Sequence, residues 1–221
     1  GRAPIVTGNI KFDVNAPAHT SSTARVLRSA FGDRTVFLAA STRDGEEALL
    51  LDALKRHRLT DALVVIVPRH PQRFDAVADL IRSYGHALVR RSEGRTVPIG
   101  CRFFLGDSIG ELAAYYRACD VAFVGGSLVA TGGQNLIEAC DAGVPVLIGP
   151  SQYNFAEAAD HAIAAGAAQR IASADELIAA VDRLLSDRPA RALMGQRAST
   201  FCADHRGATA RALAICERYV P

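Results

Sequence analysis

Four polar segments hold most of the residues with chemistry to offer, and each follows an apolar run. The richest is Val124-Gly125-Gly126-Ser127-Leu128-Val129-Ala130-Thr131-Gly132-Gly133-Gln134-Asn135-Leu136-Ile137-Glu138. Two Gly-Gly pairs flank a short loop there, and exposed N–H groups in such a loop suit a phosphate. Glu138 lies three residues beyond Asn135, on roughly the same face of an expected helix. An acid so placed can accept hydrogen bonds from ribose hydroxyls. The second segment, Pro68-Arg69-His70-Pro71-Gln72-Arg73-Phe74, sets Arg69 and His70 at a helix start. The helix dipole favours the opposite sign at that end, so these cations point to an anionic ligand. The third, Ser41-Thr42-Arg43-Asp44-Gly45-Glu46-Glu47, offers Ser41, Thr42 or Asp44 as a helix cap and Arg43 as a further donor. The fourth runs Gly106-Asp107-Ser108-Ile109-Gly110-Glu111-Leu112. Asp107 or Ser108 can cap its helix, Gly110 admits a close ring or backbone, and Glu111 joins either a ligand or the cap network.

What the segments lack is also informative. The glycine loop is neither GxGxxG nor GxxxxGK[ST], which argues against a dehydrogenase and a P-loop NTPase. No HExxH or GxSxG occurs, and His19, His57, His86, His161 and His205 lack ligand-like spacing, so no metal is expected. Cys101, Cys119, Cys140, Cys202 and Cys216 form neither CxxC pairs nor a disulfide framework, which fits a reducing compartment. With 25 basic against 23 acidic residues, no nucleic-acid partner is expected. Arg90–Arg95 reads as a solvated turn. The apolar runs are too short to cross a bilayer, and no signal peptide is visible.

The segments need a frame that brings them together. Strands are predicted over Thr35–Ser41, Ala62–Val67, Ala87–Arg90, Val97–Phe104, Val121–Val124 and Val144–Ile148. Helices are predicted over Asp44–His57, Pro71–Tyr84, Ile109–Cys119, Asn135–Ala142, Phe155–Ala165, Glu176–Leu185 and Ala190–Tyr219, the last breaking near Asp204–Gly207. Leu177, Val181, Leu184 and Leu185 make a core stripe at helical spacing. Continuous apolar strands between amphipathic helices indicate a Rossmann-like α/β fold with a parallel sheet. Such sheets bind ligands at the carboxyl ends of their strands, where all four segments fall. Residues 1–17 read as an interdomain linker and 18–221 as the domain. The opening, Gly1-Arg2-Ala3-Pro4-Ile5-Val6, suggests a fragment of a longer protein.

Taken in order, the segments resemble the C-terminal domain of the 3-deoxy-D-manno-octulosonic acid (Kdo) transferases. Thr7-Gly8-Asn9-Ile10-Lys11-Phe12-Asp13, Ala40–Glu47, Val67–Pro71, Gly106–Leu112, Phe123–Leu128, Gly132–Glu138 and Gly149-Pro150-Ser151-Gln152-Tyr153-Asn154-Phe155 carry the likeness across nearly the whole chain. The resemblance implies the C-terminal half of a GT-B glycosyltransferase. This half would bind the donor CMP-Kdo for transfer to a lipid A precursor in lipopolysaccharide biosynthesis. It implies nucleotide contacts at Pro68 and Arg69, at Ile109, Gly110 and Glu111, and at Asn135, Leu136, Ile137 and Glu138, with Glu138 toward the ribose. Arg69 and the Gly132–Asn135 amides would steady the phosphate, with help from Arg43. The family's general base is a glutamate of the N-terminal domain, so no catalytic residue is expected here and this chain alone should be inactive. Inverting transfer, no cofactor beyond the donor, and a place at the cytoplasmic face of the inner membrane through the N-terminal half are further implications. Arg43, Gln134, Leu136 and Ala139 depart from the family pattern of His, His, Pro and Pro. Two other readings stay open: a GT-B glycosyltransferase or epimerase using a UDP-sugar, and a non-enzymatic nucleotide-binding module.

Overall fold

The computed structural model describes residues 4–13, 17–57, 59 and 61–218. Seven strands form one parallel sheet: β1 (Val36–Thr42), β2 (Leu63–Pro68), β3 (Leu88–Arg90), β4 (Phe103–Leu105), β5 (Val121–Val124), β6 (Val146–Ile148) and β7 (Ala168–Arg170). Their order is β3-β4-β2-β1-β5-β6-β7. The helices are α1 (Thr20–Phe31), α2 (Glu46–Arg56), α3 (Phe74–Ser83), α4 (Leu112–Ala118), α5 (Ile137–Asp141), α6 (Ala156–Ala164), α7 (Ala174–Ser186), α8 (Arg188–His205) and α9 (Ala208–Cys216).

The apolar strand runs follow from this layering. Side chains alternate between sheet faces, and both faces are covered. Phe37 and Ala39 of β1 join a core with Leu50, Val77 and Leu177, from α2, α3 and α7. Val36, Leu38 and Ala40 join another with Leu27, Ala114, Ile137 and Phe201, from α1, α4, α5 and α8. The chain builds outward from β1 through β2, then returns to place β5 on β1's other side. The β1–β5 boundary is therefore the topological switch point, where such sheets open a ligand crevice.

All six predicted strands form, five with shifted ends and Val121–Val124 as predicted. The Val97–Phe104 expectation shrinks to Phe103–Leu105, because Val97 donates to Ala30 of α1 and Cys101 to Pro98 in a turn. Two elements were not foreseen. Helix α1 hides in a polar stretch and buries only Thr20, Ala24, Leu27 and Phe31, a single narrow stripe. Strand β7 is three residues with little apolar character. The long C-terminal helix breaks as expected, with Gly207 at φ +90 between α8 and α9. Tyr219, its expected end, lies outside the described residues.

Of the expected linker, residues 1–3 and 14–16 also lie outside the described residues. Residues 7–13 rest on the C-terminal helices, with Arg211 of α9 donating to the Thr7 carbonyl at 2.9 Å. Phe12 is buried with ring centroids 5.3 Å from Phe201 and 4.8 Å from His205. Asp13 accepts the amides of Gly207 at 2.6 Å and Thr209 at 2.7 Å, across the start of α9. Hydrogen bonds from the Thr209 side chain and these amides hold the Asp13 carboxyl down at about 2. A depressed carboxyl stabilises the fold above its unfolded value of 3.8 and loses that contribution as pH falls through about 2. Asp13→Asn is expected to speed hydrogen exchange at residues 7–13 at neutral pH and to abolish this acid-linked step. An Asp13 titration midpoint near 4 by NMR contradicts the docking.

Candidate functional site

The site is built where β1 and β5 end. Ser41 takes a left-handed φ of +53, and the β1–β2 register slips between Ala40 and Thr42, a bulge that re-aims the chain leaving β1. Gly125 packs directly on this bulge. A Cβ there would lie 2.7 Å from the Ser41 carbonyl oxygen and 2.8 Å from the Thr42 Cα, so the position admits only glycine. The expected caps of α2 do not form: Gly45, at φ +87, precedes the helix and no side chain caps it. Glu46 takes over. Fully buried, its carboxylate accepts the amides of Arg43 (2.8 Å), Gly126 (2.7 Å), Ser127 (2.9 Å) and Leu128 (2.9 Å). Beside it the buried Glu47 takes a 2.5 Å hydrogen bond from Thr42 and both arms of Arg73, at 2.9 and 2.7 Å.

These bonds revise the expected phosphate cradle. The amides of Gly126, Ser127 and Leu128 belong to Glu46. The Gly132 amide donates to Ser151 Oγ at 3.0 Å, and that of Gly133 to the Gly126 carbonyl at 2.7 Å. Of the expected Gly132–Asn135 amides, those of Gln134 and Asn135 donate to no described residue, so anion recognition at this mouth is left to them and to side chains. Arg69, exposed at the end of β2, donates from Nε to Gln134 Oε1 at 3.1 Å. Arg43 donates from Nη1 to His70 Nε2 at 2.6 Å. Gln134 and Arg43 meet at one glycine: a Cβ on Gly126 would lie 3.2 Å from Gln134 Nε2 and 3.4 Å from Arg43 Cγ. Two departures from the family pattern are thus spatial neighbours.

Glu138, in the first turn of α5, is half-buried and accepts no hydrogen bond from a described residue. Burial pushes its carboxyl up, Asp141 adds to the rise, and Arg69 opposes it. Asn135 does not share a helix with it, because α5 begins at Ile137 and the Asn135 Oδ1 accepts the Ile137 amide at 3.0 Å. Leu136 and Ile137 are fully buried in the core, so their side chains cannot line a pocket. Only backbone groups are left for a ligand, and the Ile137 amide is already bound. Pro68 is likewise buried, as the last residue of β2.

On the neighbouring strand end, Ile109 is exposed, and Gly110 sits at φ +79 with open space beside its Cα. Neither Asp107 nor Ser108 caps α4, which starts after Glu111. Asp107 instead binds Arg90 at 2.7 Å and the Ser92 amide at 2.9 Å. Glu111 pairs with both arms of Arg91, at 3.0 and 3.1 Å. Burial pushes both carboxyls up, but Ser92 and Arg90 at Asp107, and Arg91 and Ser108 at Glu111, outweigh it and lower them. The Arg90–Arg95 stretch is therefore a bracing element for this loop rather than the solvated turn expected.

Sequence reasoning missed Glu46, the Glu47–Arg73 pair and Gln152. Gln152 is 4% exposed, and neither amide atom has a hydrogen-bond partner among the described residues. It lies over Gly133, where any Cβ would collide with it. A groove of about 600 Å³ between α6 and α8, lined by His161, Leu193, Arg197, Phe201, Asp204 and His205, shares no residue with this mouth. Among the described residues, no cluster of acids, histidines or cysteines is arranged for a metal, and no helix is long and apolar enough to cross a membrane.

Comparison with known proteins fits this geometry. Residues 48–201 match the glycosyl transferases group 1 family. The chain belongs to that family. As a group 1 glycosyl transferase it is 43% identical to the 3-deoxy-D-manno-octulosonic acid transferase of Bordetella pertussis, over 97% of this chain and 51% of that protein. It is 36% identical to the enzyme of the same name from Haemophilus influenzae, with the same coverage. The chain thus spans about half the length of these relatives. The crystal structure of the C-terminal CMP-Kdo binding domain of WaaA from Acinetobacter baumannii superposes with a TM-score of 0.77 at 30% identity, covering 83% of this chain and 97% of that one. The seven-stranded sheet is accordingly the Rossmann-like C-terminal domain of a GT-B glycosyltransferase.

Proposed function

We propose that this chain is the donor-binding half of a Kdo transferase, which takes CMP-Kdo as donor and a lipid A precursor as acceptor. The observation that carries the reading is an exposed Arg69, held by Gln134, within electrostatic reach of an unbonded, half-buried Glu138 at one sheet mouth. An anion and a diol are what a nucleoside monophosphate presents, and the pair offers a cation and an acceptor for them. The open face beside Gly110 supplies room for the base. The relatives' names support the choice of CMP-Kdo over other nucleotide sugars.

In this mechanism a base on the other half of the enzyme removes a proton from an acceptor hydroxyl. That oxygen attacks the anomeric carbon of Kdo from the face opposite CMP, inverting the centre, and CMP departs with the bonding electrons. Arg69 stabilises the charge growing on the leaving phosphate. The donor arrives already activated, so neither cofactor nor metal is invoked. The second half, corresponding to the rest of the relatives' length, would hold the acceptor at the cytoplasmic face of the inner membrane.

Calorimetric titration with CMP, UMP and UDP tests the donor assignment, and preference for UDP would move the chain to the UDP-sugar enzymes. In an assay with CMP-Kdo and lipid A precursor, the isolated chain is expected to show no transfer, because a base must lie within hydrogen-bond reach of the attacking hydroxyl. Turnover by this chain alone overturns the division of labour.

A further inference from the structure

We propose that Arg43, braced by His70, binds the carboxylate of an acidic donor sugar, beside the phosphate held by Arg69. The proposal rests on the donor reading above and adds to it a second anion subsite.

The first ground is that Arg43 is a cation without a counter-ion. The acids around it are all engaged: Glu46 by four backbone amides, and Glu47 and Asp44 by Arg73. Arg43 forms no ion pair among the described residues, and its buried Nε has no hydrogen-bond partner. An arginine can only donate, so in its 2.6 Å contact the imidazole Nε2 is the acceptor and the His70 proton rests on Nδ1. That bond fixes the guanidinium and leaves other N–H groups to aim at a ligand.

The second ground is position. Arg43 leaves β1 at the bulge and packs its stem against Gly126 at the end of β5, across the switch point. Arg69 leaves β2 and is held by Gln134, whose amide packs against the same Gly126. Two guanidinium groups thus flank one glycine loop whose own amides are largely occupied. A neutral sugar linked to a nucleotide presents anions only on its phosphate. A 2-ulosonic acid carries its carboxylate on the same carbon that bears the phosphate, so it presents two adjacent anions. The planar fork of arginine suits both groups.

Calorimetric titration of the parent, Arg43→Gln and Arg43→Lys with CMP and with CMP-Kdo tests this. The parent should bind CMP-Kdo more tightly than CMP. Arg43→Gln should weaken CMP-Kdo binding by roughly five- to tenfold, as expected for one lost charge-assisted contact, and leave CMP within about twofold. Arg43→Lys keeps charge and stem but not the fork, and should lose about threefold on CMP-Kdo alone; it also serves should the glutamine variant fail to fold. Equal losses on both ligands make Arg43 a phosphate ligand and overturn the proposal, as does no loss on either. If the parent binds no CMP, the donor reading fails separately. The same variants are then titrated with Kdo and with its methyl ester, which lacks the carboxylate charge. No preference for the acid in the parent, or its survival in Arg43→Gln, overturns the carboxylate subsite as well.

Discussion

Replacing Glu46 by alanine is expected to cost about 4 kcal/mol or more and to bring the chain close to unfolding. The carboxylate satisfies four amides, three of them on the loop that follows β5. Removing it leaves several buried donors without an acceptor, at about 1–3 kcal/mol each before water and relaxation recover part. For a chain of this size that corresponds to a fall in Tm of about 10 °C. Glu46→Gln keeps the volume but turns an NH₂ toward groups that are themselves donors, so roughly half the loss is expected to remain. Urea unfolding of the three proteins measures both. CMP binding should fall along with stability, because Glu46 holds the loop against which Gln134, the partner of Arg69, packs. A cost below about 0.5 kcal/mol, the range of an ordinary surface glutamate, would remove Glu46 from this role.

Glu46 also shows where sequence reading stops. Next to Glu47 in a first helical turn, it looks like an ordinary complement to the helix dipole. Three of its four partners lie 80 to 82 residues away, and no local spacing announces them. The sheet was legible for the opposite reason. Runs such as Val36–Ala40 and Leu63–Val67 are apolar at every position, which only a strand covered on both faces requires. Parallel topology then placed the four polar segments at one end, and Arg69 and Glu138 with them. The cap signal misled at Asp107, whose side chain bonds to Arg90 and Ser92, and the helix expected from Asn135 begins two residues later, with the Asn135 side chain on the Ile137 amide. The glycine loop looked like a cradle of free amides because the sequence could not reveal that Glu46, Ser151 and the Gly126 carbonyl already occupy most of them.

Glu138→Gln is expected to weaken CMP binding at least about tenfold, equivalent to about 1.4 kcal/mol. A carboxylate bridging ribose hydroxyls makes charge-assisted bonds worth about 1.5–3 kcal/mol each, and glutamine keeps the shape while removing the charge. The structure prepares this acceptor: the Glu138 carboxyl is half-buried and bonded to no described residue, and Arg69 opposes the rise that burial gives its pKa. Its raised pKa sets the sign of two further effects. The carboxylate forms only at a pH above the ordinary glutamate value, so parent CMP affinity should rise as pH climbs through the shifted pKa. The variant should lack that step. In the folded chain a group with a raised pKa holds its proton more tightly than in the unfolded chain, so its contribution is present at low pH and lost as pH rises through the folded value. At neutral pH the parent therefore carries a penalty for the buried charge that glutamine does not, and the variant should melt no lower than the parent. Weaker binding without lower stability separates a ligand contact from a structural one. Equal CMP affinities for the two proteins, with the same pH profile, would take Glu138 out of the site.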